Sequence, residues 1–168
     1  MKVVFNSSPL IFLARLDYLA TFVAGAPAPQ EHSSDEFYLP ECVANEISAK
    51  RDEAGEYIRR LIDGGRIEVR AINLVSLANS LNARLGRGES EAIALATELQ
   101  ADYVVLDDFA ARREAMRLGL NVRGTLAVIR KLKSEGKIVI ENRDELYERL
   151  TEINFRVKRS LFDAIFQD

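Results

Sequence analysis

Four very short apolar runs limit most strongly what this chain can fold into: Val3–Phe5, Phe37–Leu39, Ile67–Val69 and Tyr103–Leu106. Each is too brief for a packed helix, and the segments between them carry apolar residues at three- and four-residue spacing. A further short strand is expected near Val122. Strands of this kind alternating with helices predict an α/β domain with a mostly parallel sheet, since parallel neighbours need helical crossovers. In such sheets, sites form beyond the carboxyl ends of the strands. Asn6 at the end of the first run, and Asp107 and Asp108 at the end of YVVL, are therefore the places to look for chemistry.

The helical segments have legible ends. Ser8 is expected to cap a helix reaching about Leu19, with Pro9 at the first helical position, where its fixed φ and missing N–H are harmless. Residues 24–36, AGAPAPQEHSSDE, have no periodic apolar face and are expected to form a mobile loop. Further helices are predicted from Pro40 to about Lys50, over Asp52–Asp63 and over Ser76–Leu85. Gly88 precedes the apolar ESEAIALATEL helix. Phe109–Leu118 stops at Gly119, and Leu126–Ser134 at Gly136. Two helices, about Arg143–Ile153 and Lys158–Phe166, occupy residues 143–168. The length of 168 residues fits one domain over 1–168.

Composition narrows the function. The single histidine, His32, falls in the polar 24–36 loop, and Cys42 is the only cysteine. A Ser-His-Asp or Cys-His catalyst and a cysteine metal cluster are poorly served by that inventory. Carboxylates are the groups left for chemistry. No stretch approaches the roughly 18 apolar residues of a membrane helix, so no membrane association and a cytoplasmic location are expected. The net charge of −3 is uneven: residues 112–137 carry +6, leaving −9 for the rest. That basic segment is a candidate phosphate-binding face, and equally a set of solvated helix surfaces.

The acids fall in four places. Asn6 ends the first strand. Glu46 projects near the stripe that its helix should bury. Glu89 and Glu91 open the apolar helix, where complementing the helix dipole would explain one of them. Of Asp107 and Asp108, one has an ordinary use as a helix cap. Brought to one side of one sheet, these groups make a candidate divalent-cation site. Two carboxylates about 4 Å apart repel by roughly 4 kcal/mol at an effective dielectric of about 20, which a cation would offset. Mg²⁺ and Mn²⁺ suit such all-oxygen ligands and leave room for water and phosphate.

Taken together, VVFNSSPLIFLARL, LPECVANEI, GRGESEAIALATELQADYVVLDDFAAR and RGTLAVIRKLKSEGKI resemble the PIN-domain family, the metal-dependent nuclease fold of the VapC-like toxins, and within it a prokaryotic PIN-like branch. The resemblance covers most of the chain and implies a three-layer α/β/α fold. It also implies a Mg²⁺- or Mn²⁺-dependent endoribonuclease, a toxin component restrained by a small antitoxin protein and often a homodimer. Carried over residue by residue, the site falls on Asn6, Ser8, Glu46, Glu91 and Asp108, with Glu89 and Asp107 as close alternatives. Arg112, Arg113, Arg123 and Thr125 become the expected RNA contacts. Asn6 departs from the pattern, which has an Asp there, so the family's first acid is replaced by a neutral amide.

Two other readings use the same residues. A PIN scaffold with weakened catalysis, binding RNA or a protein partner, follows from Asn6. A receiver-like phosphoacceptor also needs acids at strand ends, but its early strand should not end in Asn. LGRGESEA is not a phosphate loop, because no Gly-Lys-Ser/Thr follows.

Overall fold

The computed structural model describes residues 1–24 and 35–167. Its core is a sheet of β1 (Lys2–Phe5), β2 (Glu36–Pro40), β3 (Glu68–Arg70), β4 (Tyr103–Val105) and β5 (Val122–Arg123), in the order β3-β2-β1-β4-β5. Every pairing is parallel. Among the described residues, ten helices flank it: α1 (Ser7–Arg15), α2 (Leu19–Ala24), α3 (Glu41–Ala49), α4 (Glu53–Asp63), α5 (Val75–Asn82), α6 (Arg87–Leu99), α7 (Phe109–Arg117), α8 (Thr125–Ser134), α9 (Arg143–Glu152) and α10 (Arg159–Ile165). His32 and most of the 24–36 segment lie outside the described residues.

The period-two alternation of a strand explains why three layers form. Val3, Phe5, Phe37, Leu39, Tyr103 and Val105 point to one side and join a core with residues of α1–α4 and α8–α10. Val4, Tyr38, Val104 and Leu106 point to the other, against Leu81 of α5, Ile93 and Leu95 of α6, and Ala111 and Ala115 of α7. Burying a side chain such as Leu13 or Ile93 contributes about 1.5–3 kcal/mol each; both are fully buried. The central strands read as unbroken apolar runs because neither face meets water.

The strand order puts a topological switch point at β1. From β1 the chain runs outward through β2 and β3, then returns past β1 to form β4 and β5. The crevice between the carboxyl ends of β1 and β4 is where an open parallel sheet is free to hold a ligand. Asn6 extends the pairing there, its N–H donating to the Val105 carbonyl at 3.3 Å.

Local details correct several expectations. The first helix begins at Ser7, two residues earlier than expected; Asn6 occupies the N-cap position without a side-chain cap bond, and Pro9 is the third helical residue. The missing N–H of Pro9 is still harmless, since first-turn donors have no helical acceptor. The helix does not run on to Leu19, because Asp17 adopts a left-handed φ of 62° that separates α1 from α2. The basic segment is not one open face. Arg117 pairs with buried Glu114 at 3.3 Å, Lys131 and Lys137 flank Glu135, and Arg123 lies over the Tyr103 ring at 4.3 Å. Glu114 also takes Arg84 at 3.1 Å, tying α7 to the turn after α5.

Candidate active site

A cleft of about 660 Å³ opens at the switch point, lined among others by Asn6, Ser8, Glu89, Asp107, Asp108 and Arg112. Its other wall is apolar, with Phe12, Leu126, Phe155, Val157, Leu161 and Ile165. The acidic floor therefore comes from the strand ends and α6–α7, and the greasy wall from α1, α8 and the α9–α10 segment.

Each acidic group on the floor, and Glu46 behind it, which is not part of the cleft lining, is held by a specific donor. Ser7 Oγ donates to Glu46 Oε2 at 2.7 Å, fixing a carboxylate on α3 from the start of α1. Gly86 N–H donates to Glu89 Oε2 at 3.1 Å, a first-turn arrangement that satisfies a helix-end donor. Ala111 N–H donates to Asp108 Oδ2 at 2.9 Å, so Asp108 caps α7 and its Oδ1 is left for other partners. Asp107 is the most enclosed. Thr125 N–H donates to its Oδ1 at 2.8 Å and Thr125 Oγ1 to its Oδ2 at 2.6 Å.

Asn6 and Glu46 meet over a glycine. A Cβ on Gly88 would lie 2.9 Å from Glu46 Oε1 and 3.0 Å from Asn6 Oδ1, so both oxygens face the same point against the α6 backbone. A second close approach occurs at Gly124, where a Cβ would sit 2.5 Å from Arg112 Nη1 and 3.1 Å from Asp107 Oδ1. Arg112 also donates to the Leu106 carbonyl at 3.3 Å.

The electrostatics follow from this crowding. Burial pushes the Glu89 carboxyl above its ordinary value; the Gly86 N–H opposes the shift, and the negative charges of Asp108 and Glu46 add to it. Burial also raises Asp107, against the two Thr125 hydrogen bonds and the Arg112 charge. Asn6 Oδ1 is buried and has no hydrogen-bond partner among the described residues. Leaving such an acceptor unsatisfied costs about 1–3 kcal/mol, so it invites a cation or a water.

These donors fit a hard divalent ion. All are oxygens, one is an orphaned buried amide oxygen, and Glu89 is already burdened by its neighbours' charge. Among the described residues, no three His, Cys, Asp or Glu side chains stand close enough to make a ligand set alone. Mg²⁺ does not require one: one or two carboxylates suffice, with water and substrate phosphate completing the shell.

A family model described as PIN domain matches residues 2–168. The chain belongs to the PIN-domain family. No curated protein matches it. PIN domains are in general nucleases and typically use divalent metal ions, and the three-layer fold with its parallel sheet is the one the resemblance implied. In the described residues of this PIN domain, no helix is long and apolar enough to cross a membrane.

Several of the expected site residues are placed elsewhere. Glu91 does not line the cleft of this PIN domain; it pairs with Arg87 at 3.6 Å and sits beside Cys42 at the α3–α6 contact. Two residues further on is about 200° around a helix, so Glu89, not Glu91, faces the cleft. Glu46 was expected near the buried stripe of α3, yet it is an exposed residue whose carboxylate is pinned by Ser7. Thr125 is fully buried and spends its amide and hydroxyl on Asp107, so it is not an RNA contact. Arg123 stacks on Tyr103 and is not part of the cleft lining. Arg113 lies over the Phe109 ring, and Arg112 alone of the four expected contacts lines the cleft. Ser7 was missed, since a hydroxyl one place before a presumed cap carries no signal of a partner on a distant helix.

Proposed function

We propose that this PIN-domain protein is a Mg²⁺- or Mn²⁺-dependent endoribonuclease that hydrolyses RNA phosphodiesters, and that it is the toxin component of a toxin–antitoxin pair. The observation that carries the reading is the convergence of Asn6 Oδ1 and the Glu46 carboxylate over Gly88, in the company of Glu89 and Asp108. Asn6 and Glu46 would hold the ion, with Glu89 and Asp108 adding negative charge around it. Bound there, it would supply an activated water and offset the charge that grows on the phosphodiester.

The chain's own residues account for the rest. Ser7 holds the Glu46 carboxylate, the Gly86 N–H holds Glu89, and the Ala111 N–H holds Asp108, so the acids are oriented before substrate arrives. Thr125 and Arg112 occupy Asp107, making it a brace for the cleft floor. Ser8, exposed at the rim, is placed to orient a water or a phosphate oxygen. Arg112 supplies positive charge inside an otherwise acidic floor. An acidic cleft with an apolar wall also suits a small antitoxin carrying a basic, apolar segment, and homodimerisation and a cytoplasmic location belong to the same proposal.

The neutral Asn6 favours a second reading, a weakened scaffold that binds RNA or protein without turnover. RNA cleavage in Mg²⁺ or Mn²⁺ decides, comparing wild type with Glu46→Gln and Asp108→Asn. Loss of at least about 100-fold is expected from each. Cleavage unchanged by both substitutions removes the ribonuclease reading.

A further inference from the structure

Phe109 is 76% exposed, and among the described residues no other aromatic side chain stands so open to solvent. Scattered exposed apolar residues are ordinary on protein surfaces and by themselves mean nothing. This ring differs in its setting. It is the first residue of α7, directly after the cap Asp108, and it lines the same cleft as Asn6 and Glu89. The guanidinium of Arg113 lies 6.0 Å from its centroid, within cation–π range. Leu161, 55% exposed, and the cationic Arg156 stand on the other wall.

Resting on the ribonuclease reading, we infer that Phe109 is the stacking platform for an unpaired base of the RNA. Three features of the site serve a nucleotide together. An open aromatic face takes a base of any identity, because every base has a π-face. Arg156, lining the cleft, and Arg113, lying over the ring, offer charge to the backbone. The cleft, at about 660 Å³, is of the size that encloses a small ligand. A base held in a duplex is already stacked on its neighbours and cannot lie flat on the ring, whereas one in a loop or single strand can be splayed out. An apolar protein segment would also cover Phe109 and Leu161; the base-quenching measurement separates it from a stacked base.

The test compares wild type, Phe109→Ala and Phe109→Trp. The probe is a single-stranded RNA oligonucleotide carrying 2-aminopurine, with a duplex of the same sequence as control, in Mn²⁺. Affinity is read by anisotropy, stacking by quenching of the base, and turnover by cleavage. Phe109→Ala should weaken single-strand binding about tenfold and abolish most of the quenching, while Phe109→Trp keeps both and duplex binding changes less than about twofold. Because the ring is exposed, neither substitution threatens folding. Single-strand affinity and quenching that survive Phe109→Ala overturn the inference and leave the ring to a protein partner. Failure of wild type to bind the oligonucleotide overturns it as well. Quenching that depends on Phe109 without any cleavage would support the platform and count against the ribonuclease reading alone.

Discussion

The side-chain oxygens of Asn6 and Glu46, one at the end of β1 and the other on α3, face a single point above the Gly88 backbone. Only a residue without a Cβ leaves that point open. Gly88→Ala would gain about 1 kcal/mol of helix propensity in α6 and lose a comparable amount in moving the two oxygens. Thermal unfolding should thus shift little, while RNA cleavage should fall at least about tenfold because the oxygens are pushed apart. Unaltered cleavage by Gly88→Ala would show that the point has no part in the chemistry.

Asn6→Asp should restore a charge and its liabilities together. Without divalent ions, the new carboxylate is buried beside Glu46 and within the field that already raises Glu89. A loss of about 1–3 kcal/mol is expected in EDTA. Mn²⁺ should recover it and raise cleavage above wild type, which melting curves and rate measurements with and without the ion would show.

Thr125 supports Asp107 with both its N–H and its hydroxyl. Thr125→Val preserves shape and removes one donor from an enclosed carboxylate, at a cost of about 1–3 kcal/mol. Thr125→Ser should cost less, since the hydroxyl remains. Urea unfolding midpoints of the two variants, read side by side, check the order.

Cys42 should be chemically quiet. Burial, and then the neighbouring Glu91 and Glu46 carboxylates, push its thiol from 9.0 up to about 12, so almost no thiolate exists at pH 8. The sign follows from the shift: the stabilisation is complete below pH 9 and is lost as pH rises through about 12. Alkylation by iodoacetamide at pH 8 should be far slower in the native protein than in urea. Equal rates would mean that α3 does not shield the thiol.

Much of this architecture was legible because its signals are local. The apolar runs that became β1, β2 and β4 are buried on both faces, so they read as continuous hydrophobic stretches. Gly119 and Gly136 both take positive φ, where a helix stop was expected. The site was less legible, because its geometry depends on rotation about a helix and on contacts between distant segments. Glu89 and Glu91 are two residues apart, and composition alone cannot say which side of α6 meets β1. Ser7 and Thr125 are small hydroxyl residues whose partners, Glu46 and Asp107, become visible only when α3 and β4 are in place. The charge count over residues 112–137 left its two readings open for the same reason: it registers Arg123 and Arg117, not the Tyr103 ring and the Glu114 carboxylate that engage them.

The greasy wall is fastened back to the start of the chain. Arg149 donates to the Leu16 carbonyl at 2.9 Å across 133 residues, and the Phe12 and Phe155 rings meet edge to face with centroids 5.0 Å apart. A ribosome makes residues 5–16 long before residues 149–165, so a half-synthesised chain has the floor's first donor without the opposite flank. The second wall of the cleft is therefore completed only late in translation, when residues 149–165 arrive to pack on α1.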